Sequence, residues 1–215
     1  MKTGCIIRPE VRAYHASLAD TAILQQPAYS RGVGVTRYGG NNDKFGTCAI
    51  VTAIMAAVTK TWRDSGSLIV PDHDLDLQIY EPVTGFDPAQ TDANGNNPTD
   101  KGTDPEGQLF PWWRENAILG YKLGSFISIN PKNVNAIKNS INALGVFLCS
   151  DLANSQIGAK DWHSAPPDDE GHATWMDGYI ANRVDGTSWG AALEADDDMI
   201  ASQGAAAYLL NLTRA

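Results

Sequence analysis

The chain has 215 residues, 43% of them hydrophobic, with 16 Lys and Arg against 25 Asp and Glu for a formal charge of −9 at pH 7. With six Trp, seven Tyr and five Phe it is a globular composition, sufficient for one core or two small lobes, and not that of a disordered chain. The acidic balance excludes general nucleic-acid binding and disfavours an anionic membrane surface, since both need a cationic face.

The first forty residues lack sustained periodicity, and Gly39-Gly40-Asn41-Asn42-Asp43 is a run of turn formers. From Thr47 to Trp62 the residues Ile50, Ala53, Ile54, Ala57 and Val58 recur at spacings of three and four. This predicts a helix with one buried stripe, Thr47 as its N-cap and Gly66 as its stop. After Leu68-Ile69-Val70-Pro71 the chain turns polar, and Gly85 to Gly107 reads as a long loop of the kind that carries function in a compact domain. A helix is predicted over about 106–119, with Pro111 near its first turn. Another starts with Asn130 as cap and Pro131 at the first helical position, aligns Val134, Ile137, Ile141 and Leu144, and stops at Gly145. Strands are predicted at 146–149 and at 171–182, the latter with Trp175 and Tyr179 on one side and Thr174 and Met176 on the other. Residues 198–201 and 207–210 are expected to close the sheet. Helices first and strands later predict an α+β protein with segregated lobes.

Three cysteines, Cys5, Cys48 and Cys149, lie far apart without a CxxC spacing. They form neither a secreted disulfide framework nor a zinc knuckle, although a single Cys5–Cys149 bridge stays open. No apolar run is long enough for a signal-peptide core or a membrane span, so a soluble, cytoplasmic protein without an evident propeptide is expected.

The chemistry concentrates in Phe45-Gly46-Thr47-Cys48-Ala49 at the start of the first helix. Unpaired backbone N–H groups and the helix dipole favour thiolate there, and a flanking glycine lets a substrate backbone approach. Gly171-His172-Ala173 heads a predicted strand and supplies the imidazole that a thiol hydrolase needs. Other matches carry less. Gly186-Thr187-Ser188-Trp189-Gly190 fits the GxSxG pattern, but no histidine follows Ser188. Asp92 to Thr103 lacks the Gly and Glu of a calcium loop, and His163, Asp168, Asp169, Glu170 and His172 read as a solvated cluster, so no metal is expected.

Together with Asp177-Gly178-Tyr179 and Ser188-Trp189-Gly190, these islands resemble the papain-like cysteine peptidase family, and more narrowly its divergent microbial and phage-encoded members. The resemblance implies a two-lobed α+β fold. A helical lobe would span about 41–125, and an antiparallel β-barrel-like lobe about 126–215 together with 1–40, with the cleft between them. It implies Cys48 as nucleophile, His172 as general acid/base and Asn42, six residues before Cys48, in place of the family's oxyanion-binding glutamine. Gly46, Thr47, Gly102 and Gly107 would line the cleft and Trp189 would cover the imidazole. The family's imidazole-orienting asparagine falls at Thr187, with Asp185 or Asp177 as alternatives.

The implied activity is cleavage of a peptide or isopeptide bond through a thioester, without a cofactor. The implied partners are a peptide or protein substrate and, in a phage setting, virion or assembly components. Acidic loops at Asp87 to Glu106 and Asp168 to Glu170 favour a basic or neutral peptide. A fold-retaining structural protein and a Cys-His cell-wall amidohydrolase are the competing expectations.

Overall fold

The first helix, α1 (Cys48–Ser65), organises the molecule. In the computed structural model, which describes residues 4–5, 28–30, 36–168 and 170–215, every residue of α1 from Cys48 to Thr59 is buried. The single stripe expected from spacing is therefore too narrow. The positions between the stripe residues are Ala, Val, Met and Thr, small or apolar enough to be covered on all sides, which is the pattern of a central helix. Gly66 ends α1 in the left-handed conformation (φ 67°), donating its N–H to the Trp62 carbonyl.

A second helix, α2 (Leu75–Thr84), lies where a polar linker was expected; Pro82 and the acidic residues at its start mask its periodicity. The expected 106–119 helix is shorter. Pro105–Leu109 forms a wide turn that runs into α3 (Phe110–Glu115), and Asn116 leaves the helical conformation. The next helix, α4 (Val134–Ala143), is capped by Asn133, whose side chain accepts the Ala136 N–H, rather than by Asn130. Asn130 instead opens the turn before it.

The strands are β1 (Ala28–Ser30), β2 (Tyr121–Ile129), β3 (Val146–Leu152), β4 (Asp161–Trp162), β5 (Glu170–Ile180), β6 (Arg183–Ser188), β7 (Ala191–Asp196) and β8 (Gly204–Arg214). They form one sheet in the order β2-β8-β3-β5-β6-β7-β4, with β1 pairing the far half of β5. All pairs are antiparallel except β4–β7. Residues 198–201, expected to be strand, belong instead to α5 (Asp197–Gln203). A short apolar run cannot by itself separate the two periods.

Two apolar clusters form. One gathers α1, α2, α3 and side chains of β3, β5 and β8, including Trp175, Phe147 and Tyr208; the other holds α4, α5, Trp162, Met176 and Tyr179. Trp175 and Tyr179 thus fall in different clusters, contrary to strict alternation. The β5–β6 register shifts between Met176 and Gly178, and the extra residue reverses the facing beyond it. α1 packs against β5, and the Ala173 backbone near the start of β5 reaches Cys48 at the start of α1.

Candidate active site

The loop before α1 is fastened by one carboxylate. Asp76 on α2 is fully buried and accepts from the Asn41 N–H (2.8 Å), the Asn41 amide (3.2 Å), the Thr47 hydroxyl (2.9 Å) and the Tyr38 hydroxyl (3.1 Å). A buried carboxylate is tolerated when donors saturate it, and these charge-assisted bonds fix Asn41 through Thr47 against α2. Thr47 therefore spends its hydroxyl on Asp76 and does not cap α1 with its side chain. Asn42 is buried in this loop, its N–H on the Gly39 carbonyl and its side-chain oxygen without a hydrogen bond among the described residues.

Cys48 is fully buried at the first turn of α1. Burial pushes its thiol up to about 12, the nearby Cys5 adding to the effect, while backbone N–H groups of Ala173, Gly4 and Ala49 oppose it. The donors expected at a helix start are present, but desolvation outweighs them. The Ala173 contact sets the sulfur against β5, one residue from His172.

His172 is also fully buried. Its ring stacks on Trp189 (centroids 4.2 Å apart, 16° between planes) and meets the edge of Trp162 at 5.9 Å. Burial pushes it down to about 3, so the imidazole is neutral. Nε2 lies 2.9 Å from the Ser188 hydroxyl, whereas Nδ1 has no hydrogen-bond partner among the described residues. Burial thus leaves the Cys48 thiol and the His172 imidazole both uncharged, where a helix-start thiolate was expected.

The expected hydrogen bond from Thr187 to the imidazole is not made. Thr187 accepts from Arg37 Nη1 at 2.9 Å, and Asp185 pairs with Arg183 at 3.1 Å. Successive strand residues face opposite sides, so at the end of β6 it is Ser188 that points to His172. The next two residues, Trp189 (φ 46°) and Gly190 (φ 73°), form a tight β6–β7 turn with both φ positive, as a type I′ hairpin requires. A tryptophan in that conformation is strained, and the stacked imidazole is what the turn supports.

The opposite wall is built from glycines. Asp100 accepts from the Gly46 N–H and the Tyr80 hydroxyl, both at 2.9 Å, and the Gly102 N–H donates to the Tyr80 oxygen at 2.9 Å. Between Gly46 and Gly102 lies Gly4. A Cβ on Gly4 would meet the Gly46 carbonyl oxygen at 2.3 Å, and one on Gly102 would meet the Gly4 oxygen at 2.1 Å. Thr103 donates its N–H to Gly4, and Cys5 donates its own to the Gly171 carbonyl at 3.1 Å. Gly4-Cys5 thus bridges the two walls, directly over Cys48, and Cys5 runs parallel to Thr103. Gly107 is not part of this wall. It is exposed, and its N–H donates to Asp104 in the turn before α3.

The roles of Asp76, Ser188 and Gly4-Cys5 were not foreseen from sequence. Only Ser188 carried a local signal, as the residue preceding the Trp-Gly turn. His163, from the expected solvated cluster, pairs with Asp196 at 2.6 Å and is exposed, while Asp169 lies outside the described residues.

Two buried groups on β5 make acid stability a test of this environment. Between about pH 6.5 and 3 the unfolded chain protonates His172 and the folded one does not, so its stability contribution is lost as pH falls through that window. Asp177 acts oppositely. Burial, partly offset by Arg37, raises its carboxyl to about 6, so its contribution is lost as pH rises from 3.8 to about 6. The two offset each other between about pH 4 and 6. Asp177→Asn is expected to remove the offset and add about 1.4 kcal/mol of destabilisation per pH unit on acidification through that range. Urea unfolding of both proteins at pH 4, 5 and 6 checks this; equal pH slopes would contradict it.

No protein-family model matches the sequence, and no curated protein does. Solved structures are similar in fold. The cysteine protease xylellain from Xylella fastidiosa superposes with a TM-score of 0.64 at 12% identity, covering 99% of this chain and 97% of that one. The proform of the ragweed pollen cysteine protease Amb a 11 gives 0.62 at 12%, over 90% of this chain and 67% of that one. The Carica candamarcensis cysteine protease CMS1MS2, in complex with E-64, gives 0.55 at 10%, over 86% and 98%. The mixed α+β fold of this chain is that of the papain-like cysteine proteases. No helix among the described residues is long and apolar enough to cross a membrane.

Proposed function

We propose that the chain is a thiol-dependent peptidase whose nucleophile is Cys48 and whose general acid/base is His172. The observation that carries this reading is the imidazole itself: buried, stacked on Trp189, bonded through Nε2 to Ser188 and presenting an unpartnered Nδ1 beside the α1 start that holds Cys48. With the Ser188 oxygen accepting the Nε2 proton, the Nδ1 lone pair is the base. Nδ1 takes the Cys48 proton, the sulfur attacks the carbonyl carbon of a peptide or isopeptide bond, and the oxyanion is held by the Cys48 N–H and the Asn42 amide. The protonated Nδ1 then delivers its proton to the leaving amine, and water, activated by the same nitrogen, hydrolyses the thioester.

Gly4-Cys5 occupies the cleft in this state, so turnover requires it to move aside. The buried Cys5 thiol lies in the field of Asp104 and Asp151, and Glu106 accepts from the Tyr208 hydroxyl at 2.7 Å. Those carboxylates favour a basic or neutral substrate side chain over an acidic one. The full burial of Cys48 also favours a second reading, a protein that keeps the fold for binding without hydrolysis.

Peptide cleavage by the reduced chain separates the two readings, and two neighbouring hydroxyls sharpen the test. Ser188→Ala removes the only hydrogen bond the imidazole makes among the described residues. Leaving that buried group unpaired corresponds to about 1–3 kcal/mol, so kcat is expected to fall about 10- to 100-fold. Thr187→Val, which disturbs Arg37 and not His172, is expected to stay within about threefold, as for substitutions outside the site. Equal losses in both variants would remove Ser188 from its role, and no cleavage by the unmodified chain would favour the binding protein.

A further inference from the structure

The Cys5 and Cys149 sulfurs are 3.0 Å apart in the interior. Both residues are buried, and they arrive from opposite directions: Cys5 from the stretch that covers Cys48, Cys149 from the centre of β3, where it pairs with Ala173 and Ala206. Cys5 is not loosely placed. Its N–H is on Gly171, and Gly4 is held by Thr103 between the Gly46 and Gly102 backbones, where no side chain fits. A disulfide needs the sulfurs only about 1 Å closer, near 2.05 Å.

We propose that Cys5 and Cys149 are a disulfide-forming modification site. A small-molecule disulfide such as oxidised glutathione joins them, and the bond fastens Gly4-Cys5 over Cys48. The exchange balances in two steps. The Cys5 thiolate attacks the small disulfide, forming a mixed disulfide and releasing one thiol. The Cys149 thiolate then attacks the Cys5 sulfur and releases the second. Two protein S–H groups lose two electrons and two protons in total; one small disulfide becomes two thiols.

The Cys149 thiol alongside and burial both hold the Cys5 thiol protonated in place, so exchange begins when the stretch lifts off. Once made, the bond converts a non-covalent cover into a covalent one, and a reducing thiol reverses it. The disulfide itself does not depend on the peptidase reading; its consequence for hydrolysis rests on that reading.

The three cysteines lie on separate tryptic peptides, Thr3–Arg12, Phe45–Lys60 and Asn139–Lys160, so the product is identified directly. Incubation of the full chain with oxidised glutathione, followed by a non-reducing digest and mass spectrometry, is expected to give the first and third peptides joined. Alkylation of Cys48 by iodoacetamide, followed on its own peptide, is expected to slow at least tenfold and to recover with dithiothreitol. Cys149→Ala and Cys5→Ala, small replacements in a core already lined with alanine, are each expected to lose both effects. A Cys5–Cys48 link, glutathione adducts without any link, or a Cys5–Cys149 link that leaves Cys48 alkylation unchanged would each overturn the proposal. Neither readout needs turnover, so a chain that forms the bond but, once reduced again, cleaves no peptide would contradict the peptidase reading and leave this one standing.

Discussion

Cys48→Ala is expected to lower peptide hydrolysis by the reduced protein at least about 10³-fold while leaving the fold intact, because the residual rate would come from binding and oxyanion contacts alone. The sulfur sits in a fully buried position among the backbone of Ala49, Gly4 and Ala173 of β5, where alanine is tolerated better than any larger residue. His172→Ala is expected to lose a similar factor, and the double variant to be little worse than either single one, since nucleophile and base act as one unit. Initial rates on a fluorogenic peptide, with thermal melting as the control for folding, check both. Retention of activity within about tenfold in Cys48→Ala would place the chemistry elsewhere.

The second large effect concerns the cover. Gly4→Val puts a side chain where the Gly46 backbone lies within 2.6 Å of the would-be Cβ, and backbone cannot step aside as a flexible side chain could. The variant is therefore expected to expel Gly4-Cys5 and let water reach Cys48. A thiol relaxing from about 12 to an ordinary value near 8.5 gains about 10³ in thiolate fraction at pH 8. Lower nucleophilicity of the less basic thiolate takes back about half of that on a logarithmic scale, so alkylation of Cys48 is expected to rise roughly 50-fold. Iodoacetamide kinetics read on the Phe45–Lys60 peptide measure it. An unchanged rate would mean that the stretch is not what keeps the thiol neutral.

The sequence was most informative where one element decides the outcome. The α1 spacing and the Gly66 stop were readable because a long apolar periodicity and a left-handed C-terminal glycine are local signals. The thiol at the start of α1 and the imidazole near the start of β5 were readable for the same reason. What failed was whatever depends on a partner. Which of Thr187 and Ser188 faces His172 is set by strand alternation measured from the hairpin turn, and the motif's spacing alone pointed to the wrong neighbour.

Tyr179 changed sides because of a bulge near Asp177 that no composition announces. The helix α2 hid behind Pro82 and an acidic start, although Asp76 within it fastens the Cys48 loop. Beyond the open Cys5–Cys149 bridge, nothing placed Gly4-Cys5 over Cys48: that position depends on glycines more than forty and nearly one hundred positions away. The acid–base expectation failed on a matter of magnitude. Helix-start donors do reach the sulfur, yet complete burial outweighs them and leaves thiol and imidazole neutral.

The central claim is that a thioester forms on Cys48. Acid-quenching the Gly4→Val protein within the first turnover of an activated peptide ester, then measuring intact mass and the digest, tests it most directly. A single acyl group is expected on the Phe45–Lys60 peptide, absent in Cys48→Ala and lost on treatment with hydroxylamine. Hydrolysis of the ester with the acyl group on Ser188, or with no acylated protein at any quench time, would contradict it.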